Sequence, residues 1–110
     1  MDITTLQQQA WQNAEDKGFH SHTPMLDLRS MALIRLALIH TEVSEATQEI
    51  KRHGAGDRYA IGQELADVLI RCADLATTLG IDLEGAVVTK LLANTQRPMH
   101  YGTPWEQTLT

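Results

Sequence analysis

LRSMALIRLALIHTEVSEATQEIKR, residues 28–52, decides the fold. Its apolar residues recur at three- and four-residue steps, so the spacing predicts one long amphipathic helix. Asp27 reads as its N-cap and Gly54 as its stop. Met31, Arg35, Leu38, Glu42, Glu45 and Glu49 share one stripe of that helix, and Ile39, Val43, Ala46 and Ile50 form the stripe beside it. A packing seam and a row of acids are therefore neighbours on one helix. Glu42 and Glu45, three residues apart, lie on one face and nearly stack along the axis.

Three more helices flank this one. Ile3, Leu6, Ala10, Trp11 and Ala14 predict a first helix from about Ile3 to Lys17, stopped by Gly18. A loop, Phe19-His20-Ser21-His22-Thr23-Pro24, leads to the long helix. After it, His53-Gly54-Ala55-Gly56-Asp57 reads as a flexible turn. A third helix from about Tyr59 to Leu79 is expected to pack through Ile61, Leu65, Val68, Cys72, Leu75 and Leu79. Gly80 ends it, and Asp82 caps a fourth helix through Ala93 or slightly beyond. Pro98 disfavours helix at Arg97, so the chain leaves the helical body there and the tail from Met99 to Thr110 is expected to be extended or partly mobile. No strand pattern is present. The expectation is a single all-α domain, an antiparallel four-helix bundle with short connections.

The third helix carries a second acidic pair, Glu64-x-x-Asp67. Antiparallel packing of the second and third helices places Glu42 and Glu45 opposite Glu64 and Asp67. Four carboxylates at such a seam repel one another and are costly to desolvate unless a cation joins them. Oxygen-only ligands suit Mg²⁺ or Mn²⁺. A di-iron bundle would bring Glu-x-x-His pairs, and no histidine follows any of the four acids by three residues. Zinc would want cysteine or histidine, and Cys72 is the single cysteine. The competing bland reading is a solvated acidic face.

Composition narrows the classes further. A net charge of −5 argues against a general nucleic-acid binder. It leaves open a phosphorylated small molecule, because bound divalent cations reverse the local sign. The apolar fraction of 43% is ordinary for a globular protein. Arg29, Arg35 and His40 interrupt the most apolar stretch, so no membrane span is expected. The N-terminus, MDITTLQQQ, has no signal-peptide core, and one cysteine allows no disulfide within the chain. A soluble cytoplasmic protein is the expectation.

On the fourth helix, Lys90, Asn94 and Arg97 are spaced i, i+4, i+7 and share a face if helical geometry reaches Arg97. Lysine and arginine neutralise phosphate oxygens and asparagine can hydrogen-bond a sugar hydroxyl. A cationic helix C-terminus favoured by the helix dipole is the dull alternative.

Taken together, Glu42-x-x-Glu45, Glu64-x-x-Asp67, Lys90-x-x-x-Asn94-x-x-Arg97-Pro98 and Tyr101-Gly102 resemble the MazG-like all-α nucleoside triphosphate pyrophosphohydrolases. The resemblance covers roughly residues 30 to 102. It implies Mg²⁺-dependent hydrolysis between the α and β phosphates, giving a nucleoside monophosphate and pyrophosphate, in the service of nucleotide-pool house-cleaning. It implies Mg²⁺ ligation, and with it catalysis, by Glu42, Glu45, Glu64 and Asp67. Lys90 and Arg97 would hold the phosphate chain, Asn94 the sugar, and Tyr101 would pack near sugar or base.

The N-terminal third lies outside these motifs. In relatives it helps to enclose the base, which makes Trp11 and His22 candidate base contacts against a plain core tryptophan and a solvated loop histidine. Pyrimidine deoxynucleotides, dCTP in particular, are the substrate guess from the nearest-looking relatives. Family members form dimers or tetramers whose helices complete one another's sites, so a homodimer or homotetramer is implied. Within enzymes the rivals are a phosphoribosyl-ATP or dUTP pyrophosphohydrolase; outside them, a non-catalytic helical module that binds nucleotide or metal.

Overall fold

The computed structural model describes residues 1–21 and 27–98. His22, Tyr101 and the expected extended tail lie outside the described residues. Four helices and no strand make up the described chain: α1 (Ile3–Asp16), α2 (Leu28–His53), α3 (Arg58–Thr78) and α4 (Leu83–Thr95). Each bound lies within two residues of the expectation from spacing, the scatter normal for helix ends.

All four helices start at an aspartate. The side chains of Asp2, Asp27, Asp57 and Asp82 accept the backbone N–H three residues on, from Thr5, Ser30, Ala60 and Gly85. Each satisfies one of the donors that a helix start leaves open. These bonds stabilise the ionised carboxylates of Asp2 and Asp27, and hold both below the usual aspartate range. The turn at residues 53–57 thus ends in a defined cap. Gly18, Gly54 and Gly80, expected as stops, have φ of 77°, 73° and 71°, the left-handed region that a side chain resists.

α3 is the centre of the fold. α1 and α2 both pack along it and scarcely meet each other, while α4 packs on α1 and α3. Glu42 pairs with Arg71, and Arg35 with both Asp74 and Thr78. Lower numbers on α2 thus meet higher numbers on α3, so the two run antiparallel.

The core is small. Ala10, Ala14, Met31, Ala73, Leu75 and Ala76 are its buried apolar residues, and Ala73 is wholly inaccessible. Alanines on both α1 and α3 let the two backbones approach closely. Gln7, also buried, fastens that contact with its amide. Its Nε2 donates to Ile81 O at 2.8 Å, and its Oε1 accepts from Leu83 N at 3.0 Å. Thr77 Oγ1 donates back to Gln7 O at 3.2 Å. At the neighbouring corner, Glu84 Oε1 accepts from Ile3 N at 3.1 Å and so covers the start of α1.

The two expected packing stripes are only partly covered within the single chain: Leu75 is buried, and Ile61, Val68, Cys72, Leu79, Ile39 and Ala46 are half-buried. Val43 and Ile50 of α2 and Leu65 of α3 are exposed, together with Leu33, Leu36, Leu69, Leu91 and Leu92. Periodicity reports which face of a helix is apolar, and in this chain parts of those faces have no intramolecular cover. No helix among the described residues is long and apolar enough to cross a membrane.

Candidate metal centre and cleft

Two helix faces and part of a third meet at one cleft. α2 contributes Met31, Ile34, Arg35, Leu38 and Glu42, at steps of three and four residues. α3 contributes Asp67, Ile70, Arg71 and Asp74, and α1 contributes Ala10, Asn13 and Ala14. Because α1 and α2 both lie on α3 but hardly on each other, a gap of about 470 Å³ is left between them, with α3 as its floor.

The acids gather at one end of this gap. Carboxylate oxygens of Glu42, Glu64 and Asp67 lie within 4.8 Å of one another, and Glu42 is buried while Asp67 is exposed. Six ligands around Mg²⁺ at 2.1 Å are separated by roughly 3 to 4.2 Å, so a small inward movement would close the trio on a cation. Glu45 is exposed and stands outside the trio.

Glu64 bears the electrostatic cost. Its Oε2 is sealed from solvent and has no hydrogen-bond partner among the described residues. Desolvation pushes its carboxyl above the ordinary glutamate value, and the charges of Glu45, Asp67, Glu42 and Glu49 push it further. An oxygen-only donor set with an orphaned buried oxygen fits a hard divalent cation.

One internal counter-charge is present. Arg71 Nε donates to Glu42 Oε1 at 2.7 Å. Arg71 lies four residues beyond Asp67, on the same face of α3. That spacing was the available signal for it in the sequence, and the pairing itself depends on the approach of α2.

A second polar group occupies the other end. His20 Nδ1 lies 2.6 Å from Glu15 Oε2, and its Nε2 lies 2.8 Å from Asp74 Oδ1. The Trp11 and His20 ring centroids are 5.1 Å apart. Arg35 Nη1 donates to Thr78 Oγ1 at 2.7 Å and sits 3.5 Å from Asp74 Oδ2. Trp11, Glu15, His20, Met31 and Arg35 also line a shallower depression of about 300 Å³, so the two hollows share Met31 and Arg35. Asp74 and Glu15 were not singled out from the sequence, since the contacts that make them part of the site join different elements. Burial pushes the half-buried Cys72 thiol up, which favours its protonated form.

The expected phosphate-binding face lies elsewhere in the single chain. No α4 residue lines the cleft. Lys90 and Arg97 are exposed, and Asn94 is half-buried with an Oδ1 that is sealed from solvent and unpartnered among the described residues. α4 ends at Thr95, and a tight turn, Arg97 N to Asn94 O at 3.2 Å, carries the chain to Arg97.

Compared with models of known protein families, with curated proteins and with solved structures, the chain has no significant match.

A metal titration reads the acid trio directly. In the absence of metal, the folded state holds the Glu64 proton more tightly than the unfolded state does. The stability this gives is complete below about pH 4.3 and is lost as pH rises through the raised folded value. A divalent cation reverses the penalty on the ionised site. Mg²⁺ or Mn²⁺ at ten times its Kd should stabilise the protein by about 1.4 kcal/mol at pH 7. That corresponds to a melting temperature roughly 4–8 °C higher. The gain should shrink toward pH 4, where protons compete for the carboxylates; differential scanning fluorimetry across pH measures it.

Proposed function

We propose that this chain is a divalent-cation-dependent nucleoside triphosphate pyrophosphohydrolase that releases pyrophosphate and a nucleoside monophosphate. The observation that carries the reading is the trio Glu42, Glu64 and Asp67, drawn from two helices to within 4.8 Å at the mouth of a cleft of about 470 Å³. The resemblance of these residues and their spacing to the MazG-like pattern supports the same reading.

In this proposal Glu42, Glu64 and Asp67 hold Mg²⁺, with Mn²⁺ as a substitute, and Glu45 extends the site toward solvent. A bound Mg²⁺ neutralises phosphate oxygens and lowers the pKa of a coordinated water. The chain's own part is to fix the triphosphate at the acid end and its organic part along the cleft.

A second copy of the chain completes the site in this proposal. The uncovered leucines of α2, α3 and α4 supply an apolar surface for it, and its α4 brings Lys90, Asn94 and Arg97 toward the acids. The assembled arrangement would be a MazG-type bundle. Light scattering should accordingly give a mass of two or four times 12.3 kDa; a monomer at micromolar concentration would remove this part of the proposal.

Pyrophosphate release from a panel of nucleoside triphosphates, with and without Mg²⁺, tests the activity. Glu42→Gln and Asp67→Asn should each lower kcat/KM by at least about 100-fold, the upper end of what loss of a ligand's supporting partner costs. Full activity in both variants, or no triphosphate cleaved by the wild type, would sink the reading. The Arg71–Glu42 pair favours one rival, a metal-free structural network within a non-catalytic module. That rival requires Mg²⁺ and Mn²⁺ to leave the melting temperature unchanged.

A further inference from the structure

We propose that Arg35 is a specificity-determining residue: it reads the base of the substrate and selects bases with two neighbouring acceptors, guanine and cytosine, over adenine and uracil. This rests on the pyrophosphohydrolase reading for what fills the cleft, and on separate observations for which residue reads it.

The first observation is position. Arg35 precedes Glu42 by two helical turns on the same face of α2, a separation on the order of 10 Å along the axis. Both line one cleft. A triphosphate anchored at Glu42 and Asp67 therefore extends its sugar and base past Leu38, Ile34 and Ile70 toward Arg35. The middle of the cleft is apolar, as a stacked heterocycle requires, and its far end is polar.

The second observation is preorganisation. The Arg35 and Asp74 side chains are each only 15% exposed. Thr78 Oγ1 and Asp74 Oδ2 fix Arg35 through a single nitrogen, Nη1, and His20 fixes Asp74 in turn. Nη2 and Nε have no partner among the described residues, so the guanidinium is aimed by one edge and keeps N–H groups to donate. A held arginine loses little freedom on binding, which is where much of the cost of recognition lies.

The third is chemistry. Guanidinium offers a rigid fork of donors and no acceptor. It bonds two adjacent acceptors at once, the pattern guanine presents with O6 and N7. Cytosine presents N3 and O2 side by side. Adenine sets its amino donor beside the acceptor on both its Watson–Crick (N1) and Hoogsteen (N7) edges, and uracil alternates acceptor, donor, acceptor, so on those edges either leaves one arm of the fork facing an N–H. Lysine, with a point charge and no fork, cannot make the distinction.

The experiment has an enzymatic and a binding arm. Pyrophosphate release by wild type should show kcat/KM about 10-fold to 100-fold higher for GTP than for ATP, or for CTP than for UTP, and likewise for the deoxy forms. Arg35→Lys should reduce that ratio to within about threefold while the variant still melts cooperatively. In the second arm, guanosine, cytidine, adenosine and uridine are titrated by NMR without Mg²⁺ or phosphate. Guanosine or cytidine should bind wild type more tightly than adenosine or uridine, and lose that advantage in Arg35→Lys. The two purine and pyrimidine members tell which ring the cleft accommodates. Equal turnover of all bases by the wild type, or a preference that survives Arg35→Lys, overturns the inference and leaves the hydrolase reading intact. Selective nucleoside binding without any triphosphate cleavage overturns the hydrolase reading and leaves Arg35 as the reader.

Discussion

Glu64→Gln should give a protein that melts higher than wild type without metal and yet cleaves triphosphates at least about 100-fold more slowly. The opposite signs follow from one cause. In the folded protein Glu64 carries a sealed, unpartnered oxygen beside the charges of Glu45, Asp67, Glu42 and Glu49, so its ionised form is unfavourable. Glutamine removes the charge at nearly unchanged volume and relieves the repulsion. The same change removes a negatively charged ligand from the proposed cation site and costs more than the loss of a supporting partner would. Stability sacrificed at a functional site is a recognised trade. Thermal melts in EDTA and pyrophosphate assays on the same preparation measure both. Lower stability in EDTA, or an active variant, would show that Glu64 is an ordinary structural carboxylate.

Gln7→Leu should be the most damaging single change away from the acids. Leucine fills similar space but offers neither donor nor acceptor, so Ile81 O and Leu83 N lose their partner at the corner joining α3 to α4. Each orphaned group in a half-buried setting costs about 1–3 kcal/mol, for a total near 3 kcal/mol. For a domain of this size that lowers the melting temperature by at least roughly 10 °C. Urea unfolding at one fixed protein concentration checks it, because any self-association shifts the midpoint by mass action. A loss below about 1 kcal/mol would mean that the corner is held by α1–α3 packing alone.

The helices and their ends were legible because local rules write them. Periodicity marked all four segments, and Gly18, Gly54 and Gly80 marked stops that the structure places at positive φ. The convergence of Glu42 with Glu64 and Asp67 was also legible, since an antiparallel pair with a short turn leaves few registers. The caps at Asp2 and Asp57 follow a rule as local as the others but sit where no apolar pattern drew attention.

Contacts between elements distant in sequence were not legible. His20 between Glu15 and Asp74, and Arg71 on Glu42, depend on the relative placement of three helices. Nor does periodicity tell an apolar face covered within the chain from one left open. Leu65 and Val43 read as core and are exposed, while Gln7, outside the apolar pattern of α1, is buried.

Arg71 gives the acid cluster an occupant of its own. Its Nε sits 2.7 Å from Glu42 Oε1, where a divalent ion would otherwise draw on that oxygen. Under the proposed function, cation binding at Glu42 would therefore be an exchange, one positive partner leaving as another arrives. The guanidinium is 40% exposed and can swing to solvent at small cost. Such a placeholder would keep Glu42 oriented while the metal is away, and would lower the apparent affinity for the ion that has to displace it.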